Sequence, residues 1–428
     1  MRADHVERVL TRNIKPGGGC VSLEDYQRGG GYAGLRKALS MEPGEVVRLV
    51  WQSGLRGRGG AGFSTGFKWS AMPPVEDSAR PRYVVCNFDE MEPGTFKDRF
   101  LVEHDPHQLI EGILIAAHAC QADVGYIFVR DEYRLATSAL RRAIAEADSR
   151  GLLGENGPGG GRGFRLHIHV SAGRYICGEE TGLLNALEGG RANPRAKPPY
   201  PQASGAWGRP TVVQNVETLC CVPHIVERGD EWFRSLGKAK DSGTKIYGVS
   251  GKVNRPGCWE LPMGTTMREL IEEQAGGMKE GFGFRAALPG GESTRFLGPE
   301  LFDIPLDYET LSEKGLLLGT GTVIVLDDGT CPVAAARNLQ KFYVRESCGW
   351  CTPCRDGLPW VLDIIDDIEQ GRGQRGDVDL LLEMEDYLGP NAFCAFALGA
   401  IQPLVSLIEM FRDEFEDHIV KGACPYER

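Results

Sequence analysis

Hydrophobic and polar positions change their period along this chain, and each change marks an element. Residues 1 to about 30 hold no sustained period; Gly17-Gly18-Gly19 and Gly29-Gly30-Gly31 read as loop. Val46, Val47, Leu49 and Val50 share one side of a helix predicted over 43–53, which runs into a glycine-rich loop from Gly54 to Gly66. An alternation follows. Short, apolar, β-prone runs at 83–86, 126–129 and 164–170 predict buried strands. Helical spacing over 106–121, with Leu109, Ile110, Ile113, Leu114 and Ala117 inward, and again over 132–149 and 179–187, predicts helices after them. Glycines and Pro158 break the chain between 151 and 163. Strands alternating with helices imply a parallel sheet covered by helices, and such sheets bind ligands at the carboxyl ends of their strands.

From about Thr244 the pattern changes. Strands are predicted at 245–249 and 257–261, around the turn signal Asn254-Arg255-Pro256-Gly257. A capping box, Thr266-Met267-Arg268-Glu269, opens a helix ending near Gly276, and a further strand covers 321–327. Together these suggest a small β-grasp module. From Pro332 onward the chain reads almost wholly helical, interrupted near a group of cysteines and near Gly371, Gly373 and Gly389-Pro390. Four short helices would make a bundle. No repeat recurs at a fixed period.

The chain has 428 residues, which at roughly 150 per domain suggests about three domains. Hydrophobic residues at 42% and charged residues at 25% are those of a globular protein with ample core. No uninterrupted apolar run reaches the ~18 residues a membrane span needs. The start, Met1-Arg2-Ala3-Asp4-His5, has no apolar secretion signal, so a cytosolic chain is expected, meeting any membrane only through partners. A net charge of −11 argues against nucleic acid as a partner.

Thirteen cysteines are many. In a reducing compartment, cysteines in a motif point to metal or catalysis, not disulfides. Cys20, Cys86, Cys120, Cys220, Cys221, Cys258, Cys331 and Cys424 lie outside any motif and read as small buried hydrophobes; Cys177 sits within one. Cys348, Cys351 and Cys354 spell Cys-x2-Cys-x2-Cys, and Cys394 follows later. Three local thiolates and a distant fourth suit a [4Fe–4S] cluster. Structural zinc also takes four thiolates, more often from two Cys-x2-Cys pairs, and stands as the rival.

Gly57-Arg58-Gly59-Gly60-Ala61-Gly62 matches G-x-G-x-x-G but follows a helix, not a strand, so it is no ordinary dinucleotide fingerprint. Its glycines can still let backbone N–H groups approach phosphates, with Arg58 and Lys68 as charge; a flexible loop is the bland reading. Acidic clusters follow the first and third strands: Asp89, Glu90 and Glu92, then Glu179 and Glu180. The second pair could simply cap a helix. Both clusters are expected at one sheet edge, where carboxylates would bind ribose hydroxyls and repel a 2′-phosphate. Gln214-Asn215-Val216-Glu217-Thr218 offers amide and hydroxyl groups, and Lys197-Pro198-Pro199-Tyr200 an aromatic face beside a cation.

Five segments in this order, 54–63, 89–94, 175–181, 215–218 and 347–357, resemble the NADH- and FMN-binding subunit of respiratory complex I, in its bacterial form; the likeness runs from about Tyr32 to about Ile419. It implies an α/β multidomain fold: a Rossmann-like parallel-sheet FMN domain over 1–240, a ubiquitin-like β-grasp domain over 241–330, and a C-terminal four-helix bundle with an iron–sulfur cluster over 331–428. FMN contacts carry over to Gly57, Arg58, Gly59, Lys68, Asn87, Asp89, Gly178, Glu179, Asn215 and Thr218. NADH contacts carry over to Phe63, Glu90, Glu92, Glu180, Lys197 and Tyr200, and the cluster ligands to Cys348, Cys351, Cys354 and Cys394. Phe88 stands where the family usually has alanine, which would tighten the floor of the site; Tyr200 replaces phenylalanine, and Gln214 replaces asparagine.

The implied reaction passes a hydride from NADH to FMN, then single electrons to the cluster and onward to quinone through partners. The cofactors carry the chemistry, so no catalytic side chain is expected. Implied partners are a thioredoxin-like [2Fe–2S] subunit and a large multi-cluster subunit, on the cytoplasmic side of the inner membrane. The alternative is the diaphorase subunit of an NAD-linked hydrogenase or formate dehydrogenase, many of which carry further cysteine runs that this sequence lacks.

Overall fold

A computed structural model describes residues 7–76, 80–155, 157 and 163–426. The break expected around Pro158 falls largely outside them. The chain forms two compact units. The first comprises residues 1–91, 96–246 and 260–265; the second comprises 92–95, 247–259 and 266–428.

The first unit opens with α1 (Leu23–Arg28), α2 (Ala33–Leu39), α3 (Pro43–Gln52) and α4 (Thr65–Ser70). Residues 1 to about 30 are thus not wholly irregular: Ser22 caps α1 by accepting a hydrogen bond from Asp25 N. A parallel sheet follows, from β1 (Tyr83–Phe88), β2 (Val124–Arg130), β3 (Arg165–Ser171) and β4 (Thr211–Asn215), in the order β3-β2-β1-β4. Between the strands run α5 (Lys97–His104), α6 (Pro106–Cys120), α7 (Arg134–Ser149), α8 (Glu180–Leu187) and α9 (Pro201–Ser204); α10 (Val216–Arg228) and α11 (Asp230–Ser235) come after. One core packs Leu183, Leu184 and Leu187 of α8 with Val85, Val124, Phe128 and Val213 of the sheet. Also in contact with β1 are α6 and α10.

Chain order reverses between β1 and β4, and that switch point fixes where a ligand crevice opens. Asn87 and Asn215 are register partners at the carboxyl ends of these two strands.

β5 (Thr244–Ser250) and β6 (Gly257–Pro262) each run across the boundary between the units. With β7 (Phe284–Leu288) and β8 (Thr322–Asp327) they make a mixed sheet in the order β6-β5-β8-β7. The Thr266–Glu269 capping box forms, with Thr266 N donating to Glu269 (2.9 Å) and Glu269 N to Thr266 Oγ1 (3.1 Å). It opens a helical segment over 267–274, whose later part, Glu269–Gln274, is π-type. After α12 (Tyr308–Ser312) come four helices: α13 (Pro332–Glu346), α14 (Leu358–Glu369), α15 (Asp377–Leu388) and α16 (Phe396–Lys421). The last is long, 26 residues with a break at Phe411, where the sequence pattern predicts a short helix.

Candidate functional site

The glycine loop is ordered. Gly57 N donates to Phe63 O (2.8 Å) and Thr65 N to Leu55 O (2.9 Å), which closes residues 57–63 into a narrow turn. Gly60 and Gly62 take positive φ (129° and 63°), open to glycine at little cost. The loop lies against the switch point, since a Cβ on Gly59 would stand 3.1 Å from Asn215 Cβ. Among the described residues, none accepts a hydrogen bond from the N–H groups of Gly59, Gly60, Ala61 or Gly62. Several free N–H groups on one turn make a cradle for an anion.

Beside the loop stands an exposed aromatic group. Phe67 meets Phe63 and Trp51 edge-on, each pair with centroids 5.7 Å apart. All three rings are about half exposed, as is Tyr200. The glycine-loop motif brings in Phe63 and Phe67; Trp51 is the ring that the sequence reading does not include.

Three expected contacts spend their side chains elsewhere. Arg58, expected to bring charge to a phosphate, is fully buried; its guanidinium donates to the carbonyls of Arg56, Ser242 and Thr244 at 2.9–3.1 Å. Its own N–H donates to Thr218 Oγ1 (2.8 Å). Asn215 caps α10, accepting from Thr218 N (3.3 Å), while its amide donates to Asp98 (2.6 Å). Glu90 turns inward to the start of α5. It accepts from Asp98 N (2.9 Å), Arg99 N (3.1 Å) and the Tyr133 hydroxyl (3.1 Å). Burial, with Asp98 nearby, raises its pKa. These groups hold the site's frame because free helix N–H groups and buried carbonyls needed them.

Asp89 and Gln214 behave otherwise. Asp89 Oδ2 accepts from the Ser171 hydroxyl (3.1 Å), but Oδ1 is buried without a partner. Burial pushes this carboxyl up to about 6, against Ser171 and Arg130. Gln214 Nε2 is likewise buried and unpartnered. Asn87 donates to the Gly178 carbonyl (3.3 Å), tying the end of β1 to the turn before α8. A Cβ on Gly178 would meet nothing within 4 Å, so that turn faces open space. Phe88 is fully buried, its ring against Tyr133 (centroids 5.4 Å apart).

Glu179 caps α8, its Oε2 accepting from Thr181 N and Gly182 N, both at 2.8 Å, so the capping reading holds for it. Its other oxygen pairs with Lys197 (2.7 Å), which also lies 3.5 Å from Glu180. Glu180 pairs with Lys68. Burial would raise Glu180, but Lys68 and Lys197 outweigh it and hold the carboxyl below its usual range.

Behind the site lies a charge network that no sequence motif announces. Lys97 bonds Asp98 (2.7 Å) and Glu217 (2.9 Å), and Lys245 bonds Glu217 (3.3 Å), all buried. Burial lowers Lys245 to about 8 even beside Glu217. A lysine leading into the apolar run Ile246-Tyr247-Gly248-Val249 was the available signal. The network holds Asp98, which holds Asn215.

Glu92 lies in the second unit, where its carboxylate accepts from Ser293 N (2.8 Å). The same unit holds Cys348, Cys351, Cys354 and Cys394. Gly349 takes φ +69°, turning the chain between the first two cysteines. Trp350 packs edge-on against Phe393 (centroids 4.5 Å), which clamps the Cys394 segment to the triplet. Burial and the other three sulfurs push Cys354 up to about 12, a cost a bound cation would relieve.

Residues 50–224 match the Nuo51 FMN-binding domain, 246–297 the SLBB domain, and 334–418 the NADH-ubiquinone oxidoreductase-F iron-sulfur binding region. The chain is 53% identical over 416 residues to the NADH-quinone oxidoreductase F subunit of Escherichia coli (strain K12), covering 95% of this chain and 93% of that protein. It is 48% identical over 421 residues to an NADH-quinone oxidoreductase F subunit of Rhizobium meliloti (strain 1021), covering 98% and 99%. Among solved structures it resembles a chain of an NAD+-reducing [NiFe]-hydrogenase in the air-oxidized state, with TM-score 0.83 and 34% identity, covering 96% of this chain and 67% of that one. With identity near one half along almost the whole length, this chain belongs to the family of NADH-quinone oxidoreductase F subunits.

Proposed function

We propose that this chain is the NADH-oxidising subunit of a complex I-type NADH–quinone oxidoreductase, holding FMN in its first unit and a [4Fe–4S] cluster in its second. One observation carries the flavin assignment: at the β1/β4 switch point, the free N–H groups of residues 59–62 stand with two unpartnered buried atoms, Asp89 Oδ1 and Gln214 Nε2. Turn and orphan atoms match a phosphate and a polyhydroxyl chain respectively. When bound, FMN supplies two-electron exchange with NADH, and an iron–sulfur cluster supplies one-electron transfer.

The residues do the rest. Gly57, Gly59 and Gly178 let backbone come close; Asp89 and Asn87 orient hydroxyls; Lys68 and Glu179 set the local charge. Arg58, Asn215 and Thr218 support FMN by fixing the loop to α10. Phe63 and Tyr200 offer exposed faces for stacking. Glu180, with Lys197, stays charged and disfavours a 2′-phosphate; Glu92 is a second carboxylate for the nucleotide. Glu90 acts by holding the start of α5, not as a free carboxylate. Cys348, Cys351, Cys354 and Cys394 ligate the cluster.

Among the described residues, no helix is long and apolar enough to cross a membrane. The chain works as one subunit of an assembly. A thioredoxin-like [2Fe–2S] subunit and a large multi-cluster subunit would carry electrons on, at the cytoplasmic face of the inner membrane. A diaphorase role in a hydrogenase is the second reading, favoured by the structural likeness at 34% identity and outweighed by 53% to a quinone oxidoreductase component. Anaerobic purification tests the core proposal. The expected protein is coloured, carries FMN and about four irons, and reduces ferricyanide with NADH. A colourless protein holding zinc in place of iron and no flavin would sink it.

A further inference from the structure

Four ligand-type side chains that the flavin and iron–sulfur chemistry leaves unused meet in the second unit. Cys331 precedes α13, Glu369 ends α14, His418 lies in the last turn of α16, and Cys424 follows on the tail beyond Gly422. Their ligand atoms all lie within 4.8 Å of one another. By sequence alone Cys331 and Cys424 read as inert filler. The structure places them beside a buried imidazole and a buried carboxylate.

The spacing is informative. Cys331 Sγ stands 3.3 Å from His418 Nε2 and 3.7 Å from Glu369 Oε2, and those last two atoms are 3.6 Å apart. A tetrahedral zinc with bonds of about 2.3 Å to sulfur and 2.0–2.2 Å to nitrogen or oxygen sets its ligand atoms roughly 3.3–3.8 Å apart. An imidazole bonded directly to a carboxylate would close to about 2.7–3.2 Å. His418 and Glu369 therefore face a common point more than each other. The remaining ring nitrogen makes the bond a metal ligand needs: His418 Nδ1 lies 2.6 Å from the Glu414 carbonyl. That bond places the proton on Nδ1 and leaves Nε2 with its lone pair outward, as second-shell carbonyls do for ligating histidines.

The surroundings hold the four in place. A Cβ on Gly371 would lie 2.0 Å from the Gly422 carbonyl oxygen, so the exits of α14 and α16 touch backbone to backbone. Tyr426 bonds Glu414 (2.5 Å) and accepts from Arg285 (2.7 Å), pinning the tail that carries Cys424. Cys331, Glu369 and His418 are buried and Cys424 is half-buried, so the site is closed yet reachable.

We propose that Cys331, Glu369, His418 and Cys424 form a structural zinc site, separate from the iron–sulfur cysteines, that staples the ends of α13, α14 and α16 to the C-terminal tail. Four protein ligands with no open position mark a structural site, not a catalytic one. Two sulfurs with an imidazole favour zinc over calcium or magnesium.

Metal analysis of the anaerobically purified flavoprotein tests this. The expected result is about one zinc per chain in addition to iron. Cys331→Ala and His418→Ala should each lose the zinc and keep the iron. Cys348→Ala should do the reverse. Zinc that persists in Cys331→Ala, or that disappears with Cys348→Ala, would overturn the proposal. So would wild-type protein that holds no zinc after incubation with Zn²⁺ and gel filtration, or a Cys331–Cys424 disulfide found by peptide mapping. Should the variants not fold, cobalt exchange into the wild type decides. Tetrahedral thiolate–cobalt absorption bleached by added zinc supports the site, and its absence counts against it.

Discussion

Glu180 keeps its charge because two lysines face it, while Glu90 spends its carboxylate on two helix N–H groups and a tyrosine. The two glutamates look alike in a motif, and their fates differ. Glu180→Gln removes the one that can repel a 2′-phosphate. The ratio of kcat/KM for NADPH over NADH should rise about tenfold, the effect of roughly 1.4 kcal/mol of lost repulsion. Glu90→Gln should leave that ratio unchanged. It should instead destabilise the protein by about 1–3 kcal/mol through an ill-matched buried acceptor. Steady-state kinetics with both nucleotides and urea unfolding of both variants check this pair. Asp105 gives a pH prediction. It is 1% exposed, burial pushes it up to about 6 from 3.8, and Asn13 bonds it at 2.8 Å. The folded state thus holds a proton that the unfolded chain releases. Its contribution is full below pH 3.8 and is lost as pH rises through about 6, a change of about 3 kcal/mol. Asp105→Asn should flatten unfolding free energy between pH 4 and 6; the same slope in both proteins would contradict the assignment.

At the scale of elements, the site depends on how α10 sits on α6. A Cβ on Gly112 would stand 2.1 Å from the Leu219 carbonyl, so these helices touch at backbone distance. Gly112→Ala must push them apart, at about 3 kcal/mol for overpacking. Because Asn215 and Thr218 lie at the start of α10, FMN retained through gel filtration should fall too. Full flavin retention with a lowered melting temperature would break that link. Strands β1, β2 and β3 and helices α3, α6 and α7 were legible from periodicity within a few residues, since their apolar faces are continuous. The fourth strand was not: Thr211-Val212-Val213-Gln214-Asn215 is short, and it pairs with β1, far away in sequence. Nor was α5, because its buried positions include the charged pair Lys97 and Asp98.

For the whole molecule, the proposed flavin residues all fall in the first compact unit and the proposed cluster cysteines all in the second. Cys394→Ser should therefore lower iron to well under the about four atoms of the parent while FMN stays bound. Colorimetric iron and released-flavin fluorescence measure both. Loss of the two together would mean that the cluster supports the flavin site.

Sequence alone determined the α/β alternation and, through motifs shared with a family, pointed to the cysteine set and the class of chemistry, because metal-ligand spacing and phosphate-binding glycines are local and tolerate few substitutes. Tertiary structure decided which charged groups are available. Whether Arg58 reaches a phosphate or braces three carbonyls, whether Glu90 faces a ribose or a helix start, and whether Cys331 and Cys424 are filler or ligands, depend on partners that folding brings from distant segments. Burial then sets the sign, since a buried charge must take the nearest partner, and no local pattern records which one that will be.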